Sequence, residues 1–578
     1  MRKKIFLSAA LLLVIAVLYT FFKSKTEPQQ TSEMQTASAS RHLNTSKTAD
    51  THTSPALPSS VTTDFSDAID MTKWQYNAQD EVYYQLGITY CKTPADSKYE
   101  KLALFVPKNY LKCTPNSSQT YSCTPDNKEN VGIYTANTAP FLMPIDSPEY
   151  AANPALTDYV NVKKFTDAGF IYLHVGFRGR EHAAPHGLVD LKAAIRYLRH
   201  NKKIIAGNTD YIIPFGFSGG GGLSILLGTT GNNPMFRPYL RAIGAIDGGS
   251  DKVYGVMAWS PITNFDSADA AYEWNMGRTR NNLSESQKQL SDKMARAYAD
   301  YVNNSGFIDT DKTPLLLNPS PRGIYQQGYY YEYVKAIVEN ALFEYLNRTN
   351  FPHRVSTRET KDFKGEINIA GYYMDKEKYI NTLNAKRKWV HYGGYDRTIM
   401  FRSLEDFTRS LKPATKNIGA FDSPTKSSPA NILFGDGQGN GYHFSSMMLK
   451  VLKNTPLAPE YAADLKKQDE FGNSVQQRVN MYTPLYFIMP SYDGYRTSSV
   501  APFWRIRSGA FQTDTSLMTD LNLMFALQQY PQVSKVDFKS VWNAGHTKAE
   551  EAETDSDKAL IKWVNKIMQE YYKWDVNN

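Results

Sequence analysis

The run Tyr211-Ile-Ile-Pro-Phe-Gly-Phe-Ser-Gly-Gly-Gly-Gly-Leu-Ser-Ile-Leu-Leu-Gly228 decides how this chain is read. An apolar segment of strand length stops at Ser218, set between glycines, and a run of small and apolar residues restarts as a helix. A serine at such a strand-to-helix turn is held in a strained conformation that projects its hydroxyl clear of the sheet. Glycines at 216, 219 and 220 let the two elements approach closely. The Gly219 amide then opens the helix and faces whatever Ser218 attacks. G-x-S-x-G alone is a common chance match and a glycine-rich loop is often a plain turn, so the weight rests on context.

The context is an alternation of strands and helices. Asp190 to Asn201 places apolar residues at 191, 194, 195 and 198, an amphipathic helix, and Phe170 to Val175 before it is an apolar strand. Strand, helix, strand and elbow helix give the β-α-β-α rhythm of a parallel sheet covered on both faces, an α/β class. Tyr84–Cys91, Lys101–Pro107, a segment beginning at Gly132 and Val253–Ser260 supply further strands. From about 266 the rhythm breaks into long helices rich in Tyr, Arg and Lys, including Ser284–Val302 and Gly328–Leu346. It resumes with the strand Phe503–Gly509, a helix from Thr515 to Gln529, the strand Val536–Trp542 and a closing helix Ser556–Tyr572. The expected architecture is a core of 64–265 and 481–578, with a large, mainly helical lid of 266–480 inserted between late strands. No internal repeat is present.

The 578 residues suffice for a large core, and a net charge of +8 is spread without a long basic run, so nothing points to nucleic acid. Met1-Arg-Lys-Lys followed by apolar Ile5 to Phe22 has the charged start and hydrophobic segment of an export signal. No cysteine follows it, and the small-residue site Ala37-Ser-Ala39 lies far downstream. Residues 1–23 therefore read as an uncleaved signal-anchor, with a cleaved signal peptide and secretion as the alternative. Residues 24–63, rich in Ser, Thr, Gln and Pro, read as a flexible tether that hangs the body outside the cytoplasmic membrane. The three cysteines, Cys91, Cys113 and Cys123, match no zinc module. In an oxidising compartment Cys113 and Cys123 can close a short polar loop, leaving Cys91 free. No metal and no cofactor are expected.

In an α/β-hydrolase the catalytic residues come in the chain order Ser, acid, His, because each follows a successive strand at one edge of the sheet. Among the ten histidines only His546 lies beyond position 443, in Trp542-Asn-Ala-Gly-His-Thr after the last strand. For the acid, Asp520 falls in mid-helix, Asp537 within a strand and Asp493 before the relevant strand. Asp514 remains, although Asp514-Thr-Ser516 also fits a helix N-cap. The loop Asn137 to Pro144 would carry the second oxyanion donor beside Gly219. Pro140 has no N–H, which leaves Ala139 or Phe141.

Several pieces together resemble the bacterial tannases, the tannin acyl hydrolase branch of the α/β-hydrolases. They are Ala139-Pro-Phe-Leu-Met-Pro, Val175-Gly-Phe-Arg-Gly-Arg, Gly216-Phe-Ser-Gly-Gly-Gly, Ala420-Phe-Asp, Asn431-Ile-Leu-Phe-Gly, and Trp504-Arg-Ile-Arg-Ser-Gly followed by Asp514-Thr-Ser. The resemblance covers roughly residues 84–560 and implies a lid between late strands and acyl-enzyme cleavage of gallic and related phenolic acid esters, without cofactor. It places Arg178 and Gln512 at the substrate. Tannases carry an Asp-x-Asp pair before Thr-Ser, one for the triad and one for the ring hydroxyls, where this chain has Gln512-Thr513-Asp514. The tyrosines from 325 to 333 either wall an aromatic pocket or pack between lid helices. The expectation is an exported serine esterase for small esters with an aromatic acyl group. A general carboxyl or acetyl esterase on glycans, and a non-catalytic membrane-tethered binding protein, are the alternatives.

Overall fold

The computed structural model describes residues 65–575 except Ser118, Arg322, 358–362, 394–397 and 552–553. The expected signal-anchor and tether lie outside the described residues. Among the described residues no helix is long and apolar enough to cross a membrane.

Among the described residues fifteen strands are found in chain order: β1 Gln75–Asn77, β2 Val82–Thr89, β3 Lys101–Pro107, β4 Leu111–Pro115, β5 Tyr121–Pro125, β6 Phe141–Ile145, β7 Ile171–Val175, β8 Ile212–Phe217, β9 Gly255–Trp259, β10 His353–Val355, β11 Gly371–Tyr373, β12 Val390–Tyr392, β13 Ile399–Phe401, β14 Phe503–Gly509 and β15 Lys535–Val541. Nine of them form one sheet in the order β1-β2-β3-β7-β6-β8-β9-β14-β15. The first three are antiparallel, and every pairing from β7 to β15 is parallel. The central parallel strands, β6 to β9, are nearly continuous apolar runs because helices cover both faces: β9, Gly-Val-Met-Ala-Trp, is buried at every position. The register aligns Phe217 with Trp259, Trp259 with Arg507, and Gly509 with Val541. The loops after β8, β9, β14 and β15 therefore emerge side by side at one sheet edge.

The third strand differs from expectation. Val131 and Tyr134 make only an isolated bridge, and the strand is β6, inside the segment read as a loop. Pro140 and Pro144 flank and interrupt it, a pattern that resembles a loop. β6 pairs with β7 only through Phe141 and Leu142, so Pro144 lies beyond that pairing.

The segment between β9 and β14 carries helices Ala268–Met276, Glu285–Ser305 and Tyr329–Arg348, several shorter ones, and the hairpins β10–β11 and β12–β13. Sequence sets the ends of Glu285–Ser305: Ser284 and Gln287 form a capping box, and Gly306 closes it at φ 76°. The tyrosine cluster packs between elements. The Tyr330 hydroxyl donates to Asn522 Oδ1 at 2.7 Å, and the Tyr331 hydroxyl accepts from the Leu404 amide at 3.0 Å.

Cys113 and Cys123 face each other across the β4–β5 pair and are joined in a disulfide. Cys91 is free and buried, and burial pushes its thiol far above the usual range.

Arg178, expected at the substrate, instead staples the core. It is 5% exposed, and its Nε and Nη2 donate to the two Asp190 oxygens at 3.0 and 2.8 Å. The buried Glu100 lies 3.7 Å away, and burial, then the Asp190 charge, pushes its carboxyl up to about 8. Its Nε and Nη2 donors are thus committed to the buried carboxylates of the core. Arg178→Ala would leave Asp190 buried without its partner, and a loss of about 3–5 kcal/mol is expected in denaturant unfolding.

Candidate active site

Ser218 follows β8 and precedes the helix Gly219–Thr229, with φ 57° and ψ −122°. Such a backbone is costly for a residue with a side chain, and persists only where the surroundings over-determine it. Here they do. The Ser218 amide donates to Trp259 O at 3.0 Å, and its carbonyl accepts from Gly222 at 3.0 Å and Ile262 at 3.1 Å. The helix also lies hard against β6: a Cβ on Gly220 would sit 2.1 Å from the Ile145 carbonyl oxygen. Replacing that glycine would push the helix off the sheet and turn Ser218 away.

His546 stands on the loop after β15. Its Nε2 lies 2.9 Å from Ser218 Oγ, and its ring packs 4.8 Å from that of Phe217. The pairing expected between Ser218 and His546 is thus present in the geometry. The third position is not where Asp514 was expected to supply it. His546 Nδ1 lies 2.9 Å from Gln512 Oε1, and Gln512 is 1% exposed. Gln512, assigned to substrate, therefore holds the histidine. The Phe511 amide ties this loop to Ala544 O at 2.9 Å, and Gly509 gives the room, since a Cβ there would meet Gly545 O at 1.9 Å. Asp514 lies two residues beyond Gln512 and makes no hydrogen bond to His546 among the described residues. Neither does it cap the following helix, where Ser516 Oγ accepts from Met518.

Asp514 instead shares the site's field with Lys416, a lid residue that no local motif marks. The Lys416 amide donates to the Tyr272 hydroxyl at 3.1 Å, and its ammonium lies 4.4 Å from the centre of the Phe421 ring. Burial lowers the Lys416 ammonium below its usual range, while the charges of Asp514, Asp269 and Glu149 act to raise it. Burial also lowers His546; Asp514 pulls it back up and Lys416 pushes it further down. The motif residue Asp422 anchors this part of the lid. It accepts from Asn431 Nδ2 at 2.9 Å and the Phe444 and Ser445 amides at 2.8 and 2.7 Å, and bonds His443 Nδ1 at 2.7 Å.

The expected oxyanion donors Ala139 and Phe141 lie at the start of β6, away from Ser218. Their amides are spent on Thr135 O and Tyr211 O, each at 2.9 Å. The loop that reaches the elbow follows β6. There Glu149 and Tyr150 take φ 50° and 64°, and a Cβ on Gly219 would lie 3.2 Å from the Glu149 nitrogen. Among the described residues the amides of Gly219 and Glu149 have no acceptor. The loop is fixed by the Tyr150 hydroxyl, which donates to Ile262 O at 2.6 Å, and by Arg180 Nη1, which donates to Glu149 O at 2.9 Å.

Elsewhere in the lid, His443, Glu460 and Asp464 bring possible metal-ligating atoms within 4.8 Å of one another. Lys426 already pairs with Glu460 at 2.6 Å, and Lys467 with Asp464 at 2.8 Å.

Among solved structures, the chain is similar to the tannin acyl hydrolase of Lactobacillus plantarum, with 23% identity, coverage of 84% of this chain and 94% of that one, and a TM-score of 0.62. It is likewise similar to the Fusobacterium nucleatum tannase, with 24% identity, 86% and 97% coverage, and a TM-score of 0.64. This chain has the α/β-hydrolase fold. The BD-FAE family model matches residues 150–320 of this chain, the stretch that holds the elbow. Esterase LipC of Mycobacterium tuberculosis is 31% identical over 87 residues, which span 15% of this chain and 22% of that protein.

Opposite charges flank the histidine, so their removal should move its titration in opposite directions. Followed by NMR, His546 should titrate below the usual histidine value of 6.5. Asp514→Asn should lower that value further, and Lys416→Met should raise it.

Proposed function

We propose that this α/β-hydrolase is an exported serine esterase that hydrolyses esters of phenolic acids. The observation that carries the reading is Ser218 Oγ, 2.9 Å from an imidazole nitrogen. His546 takes the Ser218 proton as Oγ attacks the ester carbonyl. The oxyanion forms between the Gly219 and Glu149 N–H groups, and one such donor has been worth about 3 kcal/mol where removed. His546 then returns the proton to the leaving alcohol, and water repeats the sequence on the acyl-enzyme.

A neutral amide at the third position orients the imidazole, because Gln512 Oε1 accepts from Nδ1–H and leaves Nε2 as the base. It supplies less charge to the imidazolium than a carboxylate would. Asp514 adds part of that charge through space.

Support for a phenolic acyl group comes from the site's own chemistry. Lys416 can donate to a phenolic oxygen and Asp514 can accept from one, beside the Phe421 ring. Solved tannin acyl hydrolase complexes hold ethyl gallate and 3,4-dihydroxybenzoate. Export is supported by the apolar N-terminal segment and the Cys113–Cys123 disulfide.

Ser218→Ala should abolish both fluorophosphonate labelling and ester hydrolysis; turnover unchanged in that variant would exclude the serine mechanism. Asp514→Asn and Lys416→Met should each raise KM for methyl gallate by about tenfold, the weight of one charged hydrogen bond, and leave the KM for methyl benzoate nearly unchanged, while any change in kcat through His546 is shared by both esters. Equal effects on both esters, or p-nitrophenyl acetate as the best substrate with no preference for methyl gallate, would favour the general esterase.

A further inference from the structure

A cavity of ≈ 380 Å³ lies well away from Ser218, between the helix His186–His200, the helix Arg237–Ala242 and the loop 247–250, with Asn232 also in its wall. Such a volume falls within the range of small-molecule sites and exceeds what a bare ion needs. The elbow helix Gly219–Thr229 has 11 residues, so about 16 Å separates Ser218 at its start from the segment past its end that carries Asn232. A small ester with its carbonyl at Ser218 does not reach this cavity.

Its wall is cationic. Arg196, Arg237 and Arg241 line it. Arg196 is only 9% exposed, and its Nε and Nη2 lie 2.8 and 2.6 Å from Asp251 Oδ2, which fixes the plane of the guanidinium. Its Nη1 has no partner among the described residues. Asp251 is buried and also accepts from Lys192 Nζ at 2.9 Å, so this one carboxylate serves two cations. Arg237 and Arg241 stand four residues apart on one exposed helix face, and neither has an ion pair among the described residues. Gly249 lets the loop lie on the Arg196 stem, since a Cβ there would already sit 3.1 Å from Arg196 Cβ. Arg199, from the same helix as Arg196, ties the loop by donating to Ser250 O at 2.8 Å, and its Nε and Nη2 are buried without a partner. Against these cations the lining supplies a single carboxylate, Asp247.

We infer that this cavity is a binding site for a phosphate monoester carried on a sugar-sized group. Planar guanidinium forks pair with phosphate oxygens two donors at a time, and Arg196 is held ready for this by Asp251. A phosphate monoester brings three acceptor oxygens and a charge of about −1.5 to −2 at neutral pH, which suits three guanidiniums set against one carboxylate. A carboxylate ligand brings two oxygens and one charge, and leaves part of that wall unanswered. The volume beyond the phosphate takes the body of the ligand, where Asp247 and Asn232 accept from hydroxyls and Leu240 and Ala245 meet carbon. The ligand is bound here and not cleaved, so the inference stands apart from the esterase reading.

The test is calorimetric titration of the full chain with glucose 6-phosphate, methyl phosphate, glucuronate and glucose, at about 0.15 M salt so that loose surface attraction is screened. Glucose 6-phosphate should bind about tenfold or more tighter than methyl phosphate or glucuronate, and glucose should give no heat. Arg237→Gln and Arg241→Gln should each weaken glucose 6-phosphate by about tenfold, the weight of one charged hydrogen bond, and together abolish its binding. Both side chains are exposed, so the thermal midpoint should not move. Asp247→Ala should shrink the advantage of glucose 6-phosphate over methyl phosphate, a ratio in which its effect on the shared phosphate cancels. No heat from glucose 6-phosphate, or binding that survives the double arginine variant, overturns the site. Glucuronate binding as tightly overturns the phosphate assignment, and methyl phosphate binding as tightly overturns the sugar-sized body.

Discussion

Everything at the candidate site depends on one close contact, the elbow helix pressed against the end of β6. With glycine at 220, the helix backbone comes near enough to the Ile145 carbonyl that no side chain fits between them. That contact fixes where the helix begins and holds Ser218 in a backbone conformation it would not adopt alone. It also brings the Gly219 amide beside the loop after β6, so the proposed nucleophile and oxyanion donors are set by one packing event. The parallel register does the rest, carrying the loops after β14 and β15 to the same edge.

The third member of the constellation shows how differently two residues can act when only one residue separates them. Gln512 sits where the loop after β14 is clamped to the His546 loop by the Phe511 amide and by the close approach at Gly509. Its side chain is buried and directional. Asp514 has left that clamp and works through space, at a distance where its charge still tilts the proton affinity of His546. A neutral residue thus holds the geometry and a charged one sets part of the field, two functions that a triad aspartate combines in one side chain.

Much of this was legible in the residues. The elbow, the alternation of strands and helices, the inserted lid and the histidine after the last strand all follow from local pattern and chain order. Hydrophobic periodicity and glycine placement report backbone geometry directly. The disulfide was legible too, because Cys113 and Cys123 fall on facing strands of one short hairpin. Prolines hid β6, since a strand that pairs on one side only for part of its length tolerates them. Arg178 looked like a ligand-binding cation, and only the fold reveals Asp190 and Glu100 around it.

What the sequence determined by itself is therefore the scaffold and the two residues whose places follow from chain order, Ser218 and His546. What the tertiary structure alone decided is which side chains complete the site. Gln512 against the imidazole, the Glu149 amide beside Gly219, and Lys416 brought in from the lid each depend on contacts between segments distant in the chain. The reason is physical. A strand or an elbow is encoded by neighbours within a few residues, whereas a hydrogen bond of 2.9 Å between loops after different strands depends on register and packing that no local pattern specifies.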